Sequence, residues 1–460
     1  TRNGGDSWEN VTPKGLGECL INAIEVSPHN PATAYIATTR YKFNDYTPAI
    51  YKTDNYGKSW TNISKGIPYG AFTRVVREDH IRKGLLYAGT EKGIYISWND
   101  GGAWEPFQLN LPKTPITDLK VHQGDLVVAT SGRSFWVLDD LSVLGQYTTG
   151  KPGFRIYKPE DALNASWGSP LSGNAKEVTG THPYEGVNPA NGMVLYYELS
   201  EETGSVPLIM EIRNSEGALI RAFSSEKDTT YQEHNGGAPP PKPVLPAEKG
   251  LNRFVWDLNY PIMEGIPGVY IEAGFEGHRA SPGTYEVRLK MGDKSAAASG
   301  EIKATPGFGV TDAEYAEYDR LMSAMEGELN DMHRMVNSLY KVQGQLRTLL
   351  NGMEEGRLRA SGQELLRELI TWDEDMVQRK SQAYDDVENF PNKFTAEYIF
   401  LINMTQSEIP RVNQGSRDRK EELDSQWAGL KARAEQIVNA SVPAYNKLLW
   451  EAGIGAIQVK

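Results

Sequence analysis

The stretch T-D-N-Y-G-K-S-W at residues 53–60 recurs as S-W-N-D-G-G-A-W at 97–104, 44 positions on, and as T-R-N-G-G-D-S-W at 1–8. The shared pattern is a hydroxyl residue, an Asn two positions later, a Gly two after that and a Trp three further on. It comprises Thr1, Asn3, Gly5 and Trp8, then Thr53, Asn55, Gly57 and Trp60, then Ser97, Asn99, Gly101 and Trp104. Such a repeat constrains the fold strongly, because each copy must be one supersecondary unit that buries its apolar face against a neighbour.

The flanking sequence names the unit. A-Y-I-A-T-T, L-L-Y-A-G-T and L-V-V-A-T-S, starting at residues 34, 85 and 126, match one another, as do A-I-Y-K-T-D-N, G-I-Y-I-S-W-N and S-F-W-V-L-D-D. A further apolar alternation precedes each pair (I-N-A-I-E-V-S, T-R-V-V-R-E-D, I-T-D-L-K-V-H), and W-T-N-I-S and W-E-P-F-Q follow two of the boxes. Period-two runs bounded by turn residues read as strands, so the unit is a four-stranded antiparallel meander of ~40 residues. Within a box, the Thr or Ser hydroxyl and the Asn amide can close the turn between the third and fourth strands by bonding nearby backbone. The Gly supplies a positive φ, and the Trp opens the fourth strand with its ring beneath the turn. A carbohydrate-contacting role for Trp8, Trp60 and Trp104 is the functional alternative to this structural one.

These boxes resemble the Asp-box (BNR) repeats of sialidase-like and sortilin (VPS10)-like β-propellers, with Asn3, Asn55 and Asn99 standing where that family more often has Asp. The run L-L-Y-A-G-T-E-K-G-I-Y-I-S-W-N-D-G-G-A-W and the later D-L-V-V-A-T-S-G-R-S-F-W-V-L-D-D-L-S-V-L are similar to large bacterial extracytoplasmic proteins often called glycosyl hydrolases. Those commonly read T-H-G-R where Ser131 stands here. The resemblance extends over the later segments G-L-N-R-F-V-W-D-L-N-Y-P, S-P-G-T-Y-E-V-R-L and N-F-P-N-K-F-T-A-E-Y-I-F-L-I. It implies a periplasmic, cell-surface or secreted location. Three blades do not close a ring that needs roughly four to eight. The expectation is therefore the last blades of a propeller over 1–149, whose partner is an N-terminal propeller portion of the same protein or a separate chain.

Composition narrows the function class. A formal net charge of −12 argues against nucleic acid as a partner, since phosphate binding is built on clustered Lys and Arg. No run approaches the ~18 apolar residues of a membrane helix. Cys19 is the single cysteine, and the seven histidines show no metal-ligand spacing, so neither a disulfide, a metal nor another cofactor is expected.

From about residue 150 the pattern becomes a long-looped β region, with M-V-L-Y-Y-E-L-S, V-P-L-I-M-E-I-R-N, A-L-I-R-A-F-S, N-R-F-V-W-D-L-N and G-T-Y-E-V-R-L-K-M-G-D as strands. This predicts a β-sandwich of Ig or fibronectin type over 150–308, carrying a Pro-rich insert at 232–249 that reads as a solvated loop. Residues 309–460 predict an antiparallel α-helical bundle. Thr311 and Glu314 form a capping-box signature, and apolar residues recur at 318, 322, 325, 329, 332, 336 and 339. Ser361 with Glu364 reads as the cap of a second helix.

Meander topology alone selects a ligand face. Turns alternate between the two ends of a sheet, so if boxes occupy the third-to-fourth turns, the second-to-third turns lie opposite. That opposite end carries R-Y-K-F-N-D-Y-T-P at 40–48, T-E-K-G at 90–93 and T-S-G-R at 130–133, joined by the linker G-L-G-E-C-L. The candidates there are Glu18, Arg40, Asp45, Glu91 and Arg133. They could grip a peptide or glycan, serve as a glycosidase acid and base, or pair with each other as structural ion pairs. The resemblance implies a ligand-binding propeller protein, with a sialidase-like hydrolase as the alternative. For a sialidase the arginine clamp is missing from this sequence, and for sortilin the Cys-rich module is.

Overall fold

The computed structural model describes residues 1–148, 150, 153–172, 186–231, 239–406 and 409–459. Two compact units divide the chain, Thr1–Lys151 and Pro152–Lys460. Antiparallel sheets dominate up to residue 303, and a mostly helical part follows.

The first unit contains three sheets in chain order. β1 (Leu20–Val26), β2 (Ala34–Arg40), β3 (Asp45–Thr53) and β4 (Thr61–Asn62) form one, paired in sequence order. β5 (Thr73–Glu78), β6 (Leu86–Thr90), β7 (Gly93–Ser97) and β8 (Glu105–Pro106) form the second. The third holds only β9 (Ile116–His122), β10 (Asp125–Thr130) and β11 (Phe135–Leu138). In place of a fourth strand the short helix α1 (Ser142–Gln146) follows, its entry fixed by Asp140, whose carboxylate accepts from the Ser142 amide at 2.9 Å.

The middle sheet is covered on both faces, which explains its near-continuous apolar sequence. Val76, Leu86, Ala88 and Tyr95 pack with Tyr35, Ala37 and Ile50 of the first sheet. Their neighbours Val75, Leu85, Tyr87, Ile94 and Ile96 pack with Ile116, Leu119, Val121, Leu126 and Val128 of the third. Gly89 allows that close approach: a Cβ there would stand 2.6 Å from Val75 Cγ1 and 2.7 Å from Ile116 Cγ2. Apolar side chains on the two outer sheets remain exposed, Ile24 and Val26 on β1 and Phe135 and Val137 on β11.

The second unit pairs a sandwich with a helical part. Its strands are β12 (Arg155–Ile156), β13 (Ala162–Leu163), β14 (Met193–Leu199), β15 (Ile209–Arg213), β16 (Leu219–Ser224), β17 (Gly250–Trp256), β18 (Gly283–Met291) and β19 (Lys294–Lys303). They form a three-stranded sheet, β12-β14-β17, and a five-stranded one, β13-β19-β18-β15-β16, with β13 parallel to β19. The core includes Tyr197, Met210, Phe254, Trp256, Val287 and Leu289. Part of the Pro-rich insert, 232–238, lies outside the described residues. Of the rest, residues 240–242 and 248–249 are exposed, while Leu245 is buried in the sandwich core and the Tyr197 hydroxyl donates to the Pro246 carbonyl at 2.5 Å.

The helices are α2 (Asp312–Asn351), α3 (Arg357–Met376), α4 (Asp386–Asn389), α5 (Phe394–Thr405), α6 (Gln414–Gln436) and α7 (Val442–Glu451), with a π turn at Ile437–Ser441 before α7. Thr311 and Glu314 close a reciprocal capping box. Tyr318, Met322, Met325, Leu329, Met332, Val336 and Leu339 are all buried in one helical core. α3 differs from the sequence expectation: it starts at Arg357 behind Gly356, so Ser361 lies inside the helix rather than at its cap. The irregular segment 257–281 belongs to this packing as well, since Met263, Ile266, Val269, Ile271 and Phe275 share the helical core.

Candidate ligand-binding face

Strand order gives each sheet of the first unit two functional ends. The boxes and the β1–β2 type turns lie at one end. The β2–β3 type turns and the links between sheets lie at the other.

At the box end, the three motifs share one internal geometry. In the second, the Thr53 hydroxyl donates to Asn55 Oδ1 (3.0 Å) and accepts from the Gly57 amide (2.9 Å), while Asn55 Oδ1 accepts from Ser59 N (3.0 Å). In the first, the Thr1–Asn3, Gly5–Thr1 and Ser7–Asn3 distances are 2.9, 2.9 and 3.1 Å. In the third, the Ser97–Asn99, Gly101–Ser97 and Ala103–Asn99 distances are 3.1, 2.9 and 2.9 Å. Two successive residues take left-handed backbone in each, such as Tyr56 (φ 59°) and Gly57 (φ 79°).

The Trp of a box does not finish its bonding within its own repeat. Trp104 Nε1 donates to Ile63 O at 2.6 Å, and Trp60 Nε1 donates to Val11 O at 2.7 Å. Each acceptor lies three residues after the Trp of the preceding box. Asp100 adds to the same clasp, accepting from the Tyr35 hydroxyl (3.0 Å) and pairing with Lys52 (2.6 Å). Trp8 is 80% exposed, and its indole N–H has no hydrogen-bond partner among the described residues.

The opposite end holds the candidate face. Arg40 Nε pairs with Asp45 at 3.1 Å, and Arg40 Nη1 donates to the Glu18 carbonyl at 2.8 Å. Hydrogen bonds from Thr47, then the Arg40 guanidinium, hold the Asp45 carboxyl below the usual carboxylate range. Glu91 accepts from Arg74 Nε and Nη2 at 2.9 and 2.6 Å. All four of these side chains stay about a third exposed. Arg133 instead stands in the turn between β10 and β11, where its Nη1 reaches only the Gly132 carbonyl, at 3.4 Å. Of the sequence candidates, Arg40, Asp45 and the Glu18 backbone come together. Glu91 joins Arg74, and Arg133 stands apart.

Aromatic side chains that are not among the sequence candidates lie between these pairs. Tyr41 stacks on Phe72 with centroids 5.3 Å apart, and Tyr46 meets Phe72 at 6.1 Å and Tyr69 edge-on at 6.2 Å. Arg74 lies over Phe72 and Arg40 over Phe43. Phe72 is buried, whereas Tyr41, Phe43, Tyr46 and Tyr69 present their rings to solvent. The signal was the density of aromatics in R-Y-K-F-N-D-Y-T-P. The register Thr73↔Thr90, which sets Arg74 beside Glu91, was not in the string. Among the described residues no group of three His, Cys, Asp or Glu could hold a metal ion, and no helix is long and apolar enough to cross a membrane.

No protein-family model matches the sequence, and no curated protein matches it. Solved structures similar to it include YCF48 bound to a D1 peptide, at 19% identity over 30% of this chain and 43% of that one, with a TM-score of 0.23. The Niastella koreensis GH74 enzyme is 15% identical over 61% of this chain and 46% of its own, with a TM-score of 0.22. An ancestral GH74 enzyme is 11% identical, covering 59% and 41%, with a TM-score of 0.18. The chain spans less than half the length of each.

Proposed function

We propose that residues 1–149 are blades of an Asp-box β-propeller of the sortilin- and sialidase-like kind and that the protein is an extracytoplasmic ligand-binding protein. Its ligand, a peptide or a glycan, docks at the β2–β3 end, and a sandwich (150–308) and a helical bundle (309–460) act as scaffold. The observation that carries this reading is the gathering of partly exposed Arg–carboxylate pairs and solvent-facing rings at one end of adjacent sheets. Binding is favoured over hydrolysis because Asp45 and Glu91 are each engaged by an arginine, which leaves neither carboxylate free to serve as an acid and base pair.

The partner follows from the box end. Trp8 presents an unused indole donor, and Ile24 and Val26 present an apolar sheet face, at 67% and 62% exposure. Further blades, from an N-terminal propeller portion of the same protein or from a separate chain, would supply the carbonyl and the covering face.

A glycan array and a peptide library, read with side-chain footprinting of bound complexes, test the ligand face. Protection of Tyr41, Tyr46 and Tyr69 on binding is the expected result. A ligand that leaves these residues as reactive as in the free protein removes the reading.

A further inference from the structure

The chemistry at the β2–β3 end narrows the ligand class, on the premise that this end is the ligand face. Three features decide it. First, the two arginines beside the tyrosines are already paired: Glu91 takes two hydrogen bonds from Arg74, and Arg40 is divided between Asp45 and the Glu18 carbonyl. To engage Arg40 or Arg74 an anionic ligand would have to displace a carboxylate from its pair, and it would approach a chain of net charge −12. Second, two backbone amides of the surrounding loops are already engaged. The Gly70 amide donates to Tyr46 O and the Glu91 amide to Phe72 O, both at 3.0 Å, so neither pair of groups is available to a peptide strand. Third, the tyrosine rings are exposed, Tyr46 at 37% and Tyr69 at 66%, and they stand beside the paired charges.

We propose that this platform binds a neutral carbohydrate. The C–H faces of its sugar rings lie on Tyr46 and Tyr69, and its hydroxyls bridge Arg40 to Asp45 and Arg74 to Glu91. A hydroxyl both donates and accepts, and a guanidinium–carboxylate pair offers acceptor and donors side by side. The tyrosines contribute amphipathic faces, apolar toward the sugar and polar at the hydroxyl tip. Neither pair has to be broken for the ligand to bind.

Affinity electrophoresis of residues 1–460 through gels containing β-glucan, galactomannan, arabinoxylan or dextran tests this, with polygalacturonate as the anionic arm and a casein digest, followed by fluorescence anisotropy, as the peptide arm. The expected result is retardation by at least one neutral polysaccharide, insensitive to salt. Tyr46→Ala and Tyr69→Ala should each weaken it about tenfold, with unchanged melting temperature, and Tyr231→Ala should leave it unaffected. Binding of polygalacturonate or peptide instead, lost in Tyr46→Ala and Tyr69→Ala, overturns the neutral-ligand assignment but keeps the ligand face. Retardation untouched by both substitutions, or no binding in any arm, overturns both.

Discussion

The indole Nε1 of Trp104 donates to the backbone carbonyl of Ile63 at 2.6 Å, across 41 residues of sequence. A motif that reads as a local turn is thus also the bond between consecutive sheets. Trp60 repeats the relationship with Val11, and the rule it follows, three residues past the preceding Trp, makes the box a ratchet along the array.

The three Trp residues should therefore differ in their contribution to stability. Trp104→Ala is expected to cost ~3 kcal/mol or more, because a buried ring and a satisfied N–H are both lost. Trp60→Ala, half-buried, should cost about 1–2 kcal/mol, and Trp8→Ala no more than ~0.5 kcal/mol. Urea melts of the three variants give the ranking; equal losses would refute the inter-sheet role.

The glycines of the boxes should be ranked the same way. Gly101 has φ +83°, and a Cβ there would stand 2.5 Å from Ile63 Cδ1 and 2.8 Å from Ile63 Cβ. Gly101→Ala should cost ~3 kcal/mol from overpacking added to backbone strain. Gly5, with φ +108° and nothing closer than 4.0 Å, should lose only the ~1 kcal/mol of backbone strain. Thermal melts of both variants check the difference.

Two histidines should bound the pH range of the second unit from opposite sides. Burial opposes charging of His278, but Asp319 and Glu326, each within about 3.0 Å, more than offset it and raise its pKa to about 9. Its stabilisation is complete below the unfolded value of 6.5 and fades as pH rises toward 9. His333 is buried and neutral, its Nδ1 bonded to the Glu264 carbonyl, and burial lowers its pKa to about 4. Its contribution is complete above 6.5 and fades as pH falls toward 4. Urea midpoints against pH should peak near 6.5. His278→Gln should flatten the alkaline limb alone, and His333→Gln the acid limb alone.

The helical part should need the segment that precedes it. Residues 309–460 alone lack Met263, Ile266, Val269, Ile271 and Phe275, which are buried against the helices. That fragment is expected to be helical by circular dichroism but to melt broadly and bind an apolar dye. Residues 257–460 should melt in one sharp transition. Equal cooperativity of the two fragments would show that the segment contributes nothing.

Features that depend on neighbours a few residues away were legible in the sequence. Period-two alternation located β9, where Leu119 and Val121 are buried while Asp118, Lys120 and His122 are exposed. A three-residue spacing located the Thr311–Glu314 cap, and the four-three alternation located the buried seam of α2. β19 escaped because K-S-A-A-A-S-G-E-I-K has almost no large apolar side chains; β18, already patterned, recruits it by ladder hydrogen bonds. The carbonyl that receives a box Trp, the hold of Arg74 on Glu91, the separation of Arg133 from Arg40 and the packing of 257–281 on the helical core emerge from long-range packing. These contacts join residues 17 or more positions apart, and their geometry is set by strand register and sheet stacking, which minimise the free energy of the whole unit rather than of any short window.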